Sequence, residues 1–233
     1  MIDFDYQVRK SPRRKTLSIC VYPDNRVVVA APRNLSEKDI TRFVDEKAGW
    51  VQKRLRINLE KQKSARVRQF VSGEKLLYLG KEYTLVVEEN SRGAAVVLEN
   101  GNIVVRIRPS REGQNPRNMV RSALVRWYAD LALAKIEERG RHFEALTGMP
   151  PRSVTIKAMR SRWGSCSTRG AISFVWNIIM APEPVLDYLV VHEFCHLTHH
   201  NHSAEYWKLV GSFIPDHRER RKWLRENGGC LSF

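Results

Sequence analysis

Hydrophobic positions along this chain change period several times, and each change marks an element. Thr16–Tyr22 and Val27–Ala31 alternate, with Pro23, Asp24 and Asn25 between them, so the spacing predicts a hairpin. Ser36 precedes Asp39 by three residues, a capping box. Ile40, Phe43, Val44, Val51 and Leu55 follow at helical spacing, which predicts a helix to about Gln62 with Trp50 near its stripe. Four short runs come next: Leu76–Leu79, Glu82–Glu88, Ala94–Leu98 and Ile103–Ile107. Turn residues at Gly80-Lys81, Asn90–Gly93 and Asn100–Asn102 separate them, so a small sheet is expected.

Pro109–Pro116, with Gly113 and several polar residues, is the strongest boundary in the chain. Beyond it Met119, Ala123, Val125, Trp127, Leu131, Ala134 and Ile136 predict a helix over Arg117–Ala145, ended by Gly148, Pro150 and Pro151. Val154–Ala158 and Ala171–Trp176 read as two strands of a second hairpin around the loop Arg160–Ser167. Pro184 opens another helix, and Ser203–Phe213 and Pro215–Glu226 read as two closing helices. The sum is an α+β chain. Residues 1–110 form a β-rich region with one basic helix, and residues 116–233 a second domain.

The helix after Pro184 carries the chemistry. Its run PVLDYLVVHEFCHLTHHNHSAEYW places Leu186, Leu189, Val190, Phe194 and Leu197 at helical spacing. His192 and His196, four residues apart, lie on one face a turn from each other and can reach one metal ion. Glu193 points close to the same space and can take a proton from a water on that ion, the arrangement of a zinc hydrolase. A catalytic site needs one more protein ligand and one open position. On a continuous helix His199 would lie about 10 Å along the axis from His192, too far to share the ion. A stop at Asn201 would let the chain turn back and present His202, with Glu205 as second choice. Ser203 then caps the next helix. His199 and His200 fit a solvated helix end, where histidine is favourable.

Composition narrows the setting. The chain has 233 residues, 42% of them hydrophobic, enough for a real core. No run approaches the ~18 apolar residues of a membrane span, and the start MIDFDYQVRK lacks a secretory pattern. Cys20, Cys166, Cys195 and Cys230 are scattered, as reduced thiols of a cytoplasmic protein would be, and Cys195 should point away from the ion. A net charge of +15 favours polyanions such as nucleic acid or nucleotides, and equally serves solubility. Its densest stretches are Arg9–Lys15 and the basic side of the first helix, Lys47 to Arg68.

Four blocks taken together resemble a known family. RSRWGSCS (160–167), an apolar strand to MAP (180–182), LDYLVVHEFCHL (186–197) and NHSAEYW (201–207) closely resemble the YgjP-like family of zincin-type metallopeptidases, akin to the SprT and WLM families. The resemblance implies a zincin-like, minigluzincin-type core: a small sheet whose edge strand borders the cleft, with the motif helix beneath. It implies Zn2+ held by His192, His196 and His202, with Glu193 as general base. Where the family pattern has an Asn-Trp-Arg-like triplet, this chain has Val175-Trp176-Asn177.

The reading is therefore a zinc-dependent peptidase acting on a peptide or protein, cytoplasmic and without a membrane partner. Arg160, Arg162, Trp163 and Tyr206 are candidate substrate-binding residues, and Arg160, Arg162, Tyr206 and His217 candidate second oxyanion donors. Two alternatives stand beside it. One is a metal-dependent nucleotide pyrophosphatase, which the positive charge would suit. The other is a nucleic-acid-binding protein with a structural zinc, which would more typically be closed by four ligands including cysteines.

Overall fold

The computed structural model describes residues 3–22, 24–64, 68–90, 93–159, 162–231 and 233. It is α+β, as the pattern implied, and its contacts divide into two compact units, Met1–Arg68 and Gln69–Phe233.

In the first unit β3 (Val27–Pro32) is the central strand, because Val27, Val28, Val29 and Ala31 are buried on both of its faces. β2 (Ser18–Val21) pairs antiparallel to it, as the alternation predicts. β1 (Gln7–Ser11) adds a parallel strand that the pattern hid, since QVRKS is almost wholly exposed and charged. α1 (Glu37–Ser64) starts as expected, with the Ser36 hydroxyl accepting from the Asp39 amide at 3.1 Å. Ile40 and Val44 on its buried face meet Val29 and Ala31.

Among the described residues the second unit holds two sheets and four α-helices. β4 (Lys75–Tyr78), β5 (Lys81–Glu89), β6 (Ala95–Glu99) and β7 (Asn102–Ile107) follow the predicted runs and assemble in the order β4-β5-β7-β6. The expected boundary at 109–116 is only a loop within this unit. Leu76, Leu85, Ile103, Val105 and Ile107 share one core with Val120, Leu124 and Tyr128 of α2 (Pro116–Thr147), and the Tyr128 hydroxyl donates to the Leu77 carbonyl at 2.8 Å. A loop rich in proline and glycine signals a turn, not a gap between cores. The units part at Arg68/Gln69 instead.

The second departure concerns the other sheet. β8 (Ser153–Lys157) and β10 (Ala171–Val175) were expected as a hairpin, but they pair parallel. A short strand inside the intervening loop, β9 (Gly164–Cys166), pairs antiparallel with β10 and makes the reversal. Three residues are too few for a period to register in sequence. The order β8-β10-β9 leaves β9 at an edge.

α3 (Glu183–Cys195) is buried nearly all round, with Leu186, Leu189, Val190, Val191 and Phe194 in the core. It is fastened to α2 in three places. Asp187 accepts two hydrogen bonds from Arg139, and Glu183 pairs with Lys135. Phe194 also packs where Gly140 leaves room, since a Cβ there would sit 3.0 Å from the ring. Gly80, at φ +77, lets the β4–β5 turn approach Pro182 just ahead of α3, where a Cβ would come within 2.9 Å of the proline backbone. α4 (Ala204–Phe213) and α5 (His217–Asn227) close the unit, near the two spans read from sequence. Asn177 holds the far end of the chain by donating to the Leu231 carbonyl.

Candidate active site

α3 brings His192 and Glu193 to one end of the core, and it stops sooner than Asn201. Its last residue is Cys195; His196 occupies the cap position at φ −70, ψ −14. That near-helical geometry still keeps His192 and His196 on one face. The chain then turns, so the His199 carbonyl comes back over His196, and the following loop delivers His202. Ser203 caps α4 as expected, its hydroxyl accepting from the Tyr206 amide.

The three histidines converge. One ring nitrogen from each of His192, His196 and His202 lies within 4.8 Å of the others. The Nε2 atoms of His192 and His202 are 3.3 Å apart, close to the separation of two ligands bonded to one zinc at about 2.1 Å each. Hydrogen bonds assign the tautomers. Tyr206 donates its hydroxyl proton to the His192 carbonyl at 2.9 Å, so the contact of 2.6 Å to His192 Nδ1 has the imidazole as donor. His196 Nδ1 donates to the His199 carbonyl at 2.9 Å. Both rings are left with Nε2 as a free lone pair, the form that binds metal.

Electrostatics favour the same state. Burial pulls the His192 imidazole down to about 3, with His196 and His202 pushing the same way. His202 is lowered too, first by partial burial and then by His196 and Arg221. Burial pushes the Glu193 carboxyl up to about 8, opposed by the Arg162 guanidinium. Two of the three triad imidazoles are thus biased toward the neutral form, beside a carboxyl tuned close to neutral pH. Three imidazoles around a common point are a donor set that fits a divalent ion. Among the described residues no fourth His, Cys, Asp or Glu joins the group.

An open cleft of about 890 Å³ leads to these residues. Arg162, Trp163, Gly164 and Cys166 form one wall, and Trp207, Arg221 and Arg225 another. β9 runs directly over Glu193, which is 4% exposed.

The candidate residues divide accordingly. His192, His196, His202 and Glu193 come together, and Arg162 and Trp163 line the cleft. Trp163 lies against Gly228, where a Cβ would come within 2.6 Å of the indole. Arg160 falls outside the described residues. Tyr206 corrects the reading made from sequence. It is fully buried beneath His192 with its hydroxyl engaged there, so it orients the His192 ring and does not line the cleft. Glu205 stands apart from the triad in the first turn of α4, where a hydrogen bond with Ser203 lowers its carboxyl. His217 stacks on Trp207 with ring centroids 5.6 Å apart, and Cys195 is buried in the core, pushed up to about 12. Pattern reading missed Gly164 and Trp207, and Arg221 and Arg225 of α5. Gly164 stood in the quoted loop, but nothing local ties α5 to the motif.

The profile of the YgjP-like, metallopeptidase domain matches residues 15–227. Among curated proteins none matches. A solved structure, the metallopeptidase zymogen of Pyrococcus abyssi abylysin, is 20% identical, covers 39% of this chain and 93% of its own, and superposes with a TM-score of 0.36.

Proposed function

This chain belongs to the YgjP-like metallopeptidase family, and from that premise we propose that it is a zinc-dependent peptidase with Glu193 as general base and His192, His196 and His202 as ligands. The observation that carries the reading is the convergence of three imidazole nitrogens within 4.8 Å, two of them with their other ring nitrogen tied down. Three ligands facing an open cleft suit a catalytic ion better than a structural one, which four ligands would enclose.

When bound, zinc supplies Lewis acidity, which makes a water acidic near neutral pH and polarises a substrate carbonyl. The chain's own residues do the rest. Glu193 accepts the proton of the attacking water and returns it to the leaving amine nitrogen. Its burial against β9 holds the carboxylate in place for both transfers. Trp163 and Arg162 form the wall along which the substrate lies. Tyr206 and the His199 carbonyl keep the ligand rings in the binding tautomer. The family points to a peptide or protein substrate; beyond overall charge, nothing among the described residues supports a nucleic-acid partner. No described helix is long and apolar enough to cross a membrane.

The test is metal content beside turnover. Wild type should hold one zinc per chain and cleave unstructured peptides. His202→Ala should lose most of the zinc, and Glu193→Gln should keep zinc and lose turnover. Zinc retained in full by His202→Ala would remove that ligand, and an active Glu193→Gln would remove the base.

A further inference from the structure

Among the described residues three arginines line the cleft and a single carboxylate does, the nearly buried Glu193. Three arginines elsewhere on this unit are ion-paired, Arg139 with Asp187, Arg106 with Glu88 and Glu99, and Arg220 with Asp216. Arg162 faces Glu193 and offsets its charge. Arg221 and Arg225 have no ion-pair partner among the described residues. They stand one turn apart on α5, on the face that meets the cleft.

Arg221 is also held in place. Its guanidinium carbon lies 4.9 Å from the centre of the Trp207 ring. Trp207 in turn stacks with His202 at 5.5 Å and 22°, and with His217 at 5.6 Å and 17°. This cation–π contact holds the guanidinium beside the ring, and no described carboxylate takes up its N–H donors, the groups that grip a carboxylate with two parallel hydrogen bonds. A pre-positioned, unpaired guanidinium beside the third ligand has more than a solubilising role.

We propose that Arg221, with Arg225 a turn beyond, forms a carboxylate-binding subsite, and that the substrates are peptides bearing an acidic group close to the cleaved bond. This rests on the peptidase reading above. The carboxylate is an Asp or Glu side chain or the free end of the peptide; the chemistry at Arg221 is the same.

The test is binding to zinc-loaded Glu193→Gln protein, followed by calorimetry, so that no turnover is needed. Peptides are compared in pairs, Asp against Asn at each position, each with a free or an amidated C-terminus. The acidic member should bind about five- to tenfold tighter at low salt, the scale of one or two partly exposed charge-assisted hydrogen bonds, and the advantage should shrink as salt rises. Arg221→Gln in the same background should bring the ratio close to one, and Arg221→Lys should keep part of it, which separates loss of charge from loss of fold. Preference for the side chain or for the chain end identifies the source. Equal affinity within every pair, while wild type still cleaves these peptides, overturns the subsite and leaves the peptidase standing. Wild type that hydrolyses nucleoside triphosphates and neither binds nor cleaves any peptide overturns both.

Discussion

The carboxylate of Glu193 occupies the place that a side chain on Gly164 would take. A Cβ at position 164 would overlap Oε1 and come within 2.7 Å of Cγ and Cδ. β9 can therefore lie on the proposed base only because its first residue has no side chain. With Glu193 4% exposed, the carboxylate has little room to step aside. Gly164→Ala should displace it by about an ångström and lower kcat about a hundredfold, with zinc content unchanged. Near-normal turnover in that variant would mean that the carboxylate needs no such confinement.

Tyr206 offers a test of the ligand tautomer. Tyr206→Phe keeps the packed ring and deletes the hydroxyl that bridges His192 Nδ1 and the His192 carbonyl. Zinc affinity should fall about 10- to 100-fold, as for other removed partners of ligand histidines, and stability by about 1 kcal/mol. A competition titration against a chromophoric chelator measures the first and a denaturant melt the second. Unchanged affinity would show that His192 needs no such anchor.

The fastening of α3 to α2 separates stability from chemistry. Asp187→Ala leaves the Arg139 guanidinium, whose side chain is 27% exposed, without its carboxylate. The loss should be about 1–3 kcal/mol in a urea melt, with the zinc stoichiometry intact. Loss of zinc without loss of stability would place Asp187 in the site instead.

Stability of the metal-free chain should depend on pH in two opposite ways. His192 is held at about 3 against an ordinary 6.5, so between these values the unfolded chain binds the extra proton and stability falls as pH drops below 6.5. Glu193 is held at about 8 against 4.5, so between those values the folded chain holds the extra proton and stability falls as pH rises above 4.5. The two slopes oppose between 4.5 and 6.5, and their joint contribution is flat there. Above 6.5 only the Glu193 loss remains, ending near 8. Thermal melts of chelator-treated protein should show it, and Glu193→Gln should remove the alkaline fall. An identical alkaline profile in both proteins would contradict the burial of that carboxyl.

Much of the site was legible because its parts are close in the chain. His192, Glu193 and His196 share one helical turn, and spacing along a helix is local geometry. His202 could be chosen because a bond of about 2.1 Å restricts how far a third ligand can lie. Asn201 misled as the stop: the turn begins at His196, drawn back by a hydrogen bond from its ring to the His199 carbonyl, which no residue preference encodes. Tyr206 was legible as a residue near the site but not as the partner of His192, since its direction depends on how α4 packs against α3.

By itself the sequence determined the helices, the longer strands and the candidate triad of His192, His196 and His202, all set by periods, caps and spacings of a few residues. Tertiary structure decided what lies far apart in the chain. It put the sheet of β4–β7 into one core with α2 although a proline-rich loop intervenes, because both bury their apolar faces in the same cluster. It turned β8 and β10 parallel through three residues of β9, and laid Gly164 on Glu193. It also carried Arg221 and Arg225 to the cleft from a helix some thirty residues beyond the motif. Such pairings follow from long-range burial and strand registry, and no local pattern carries them.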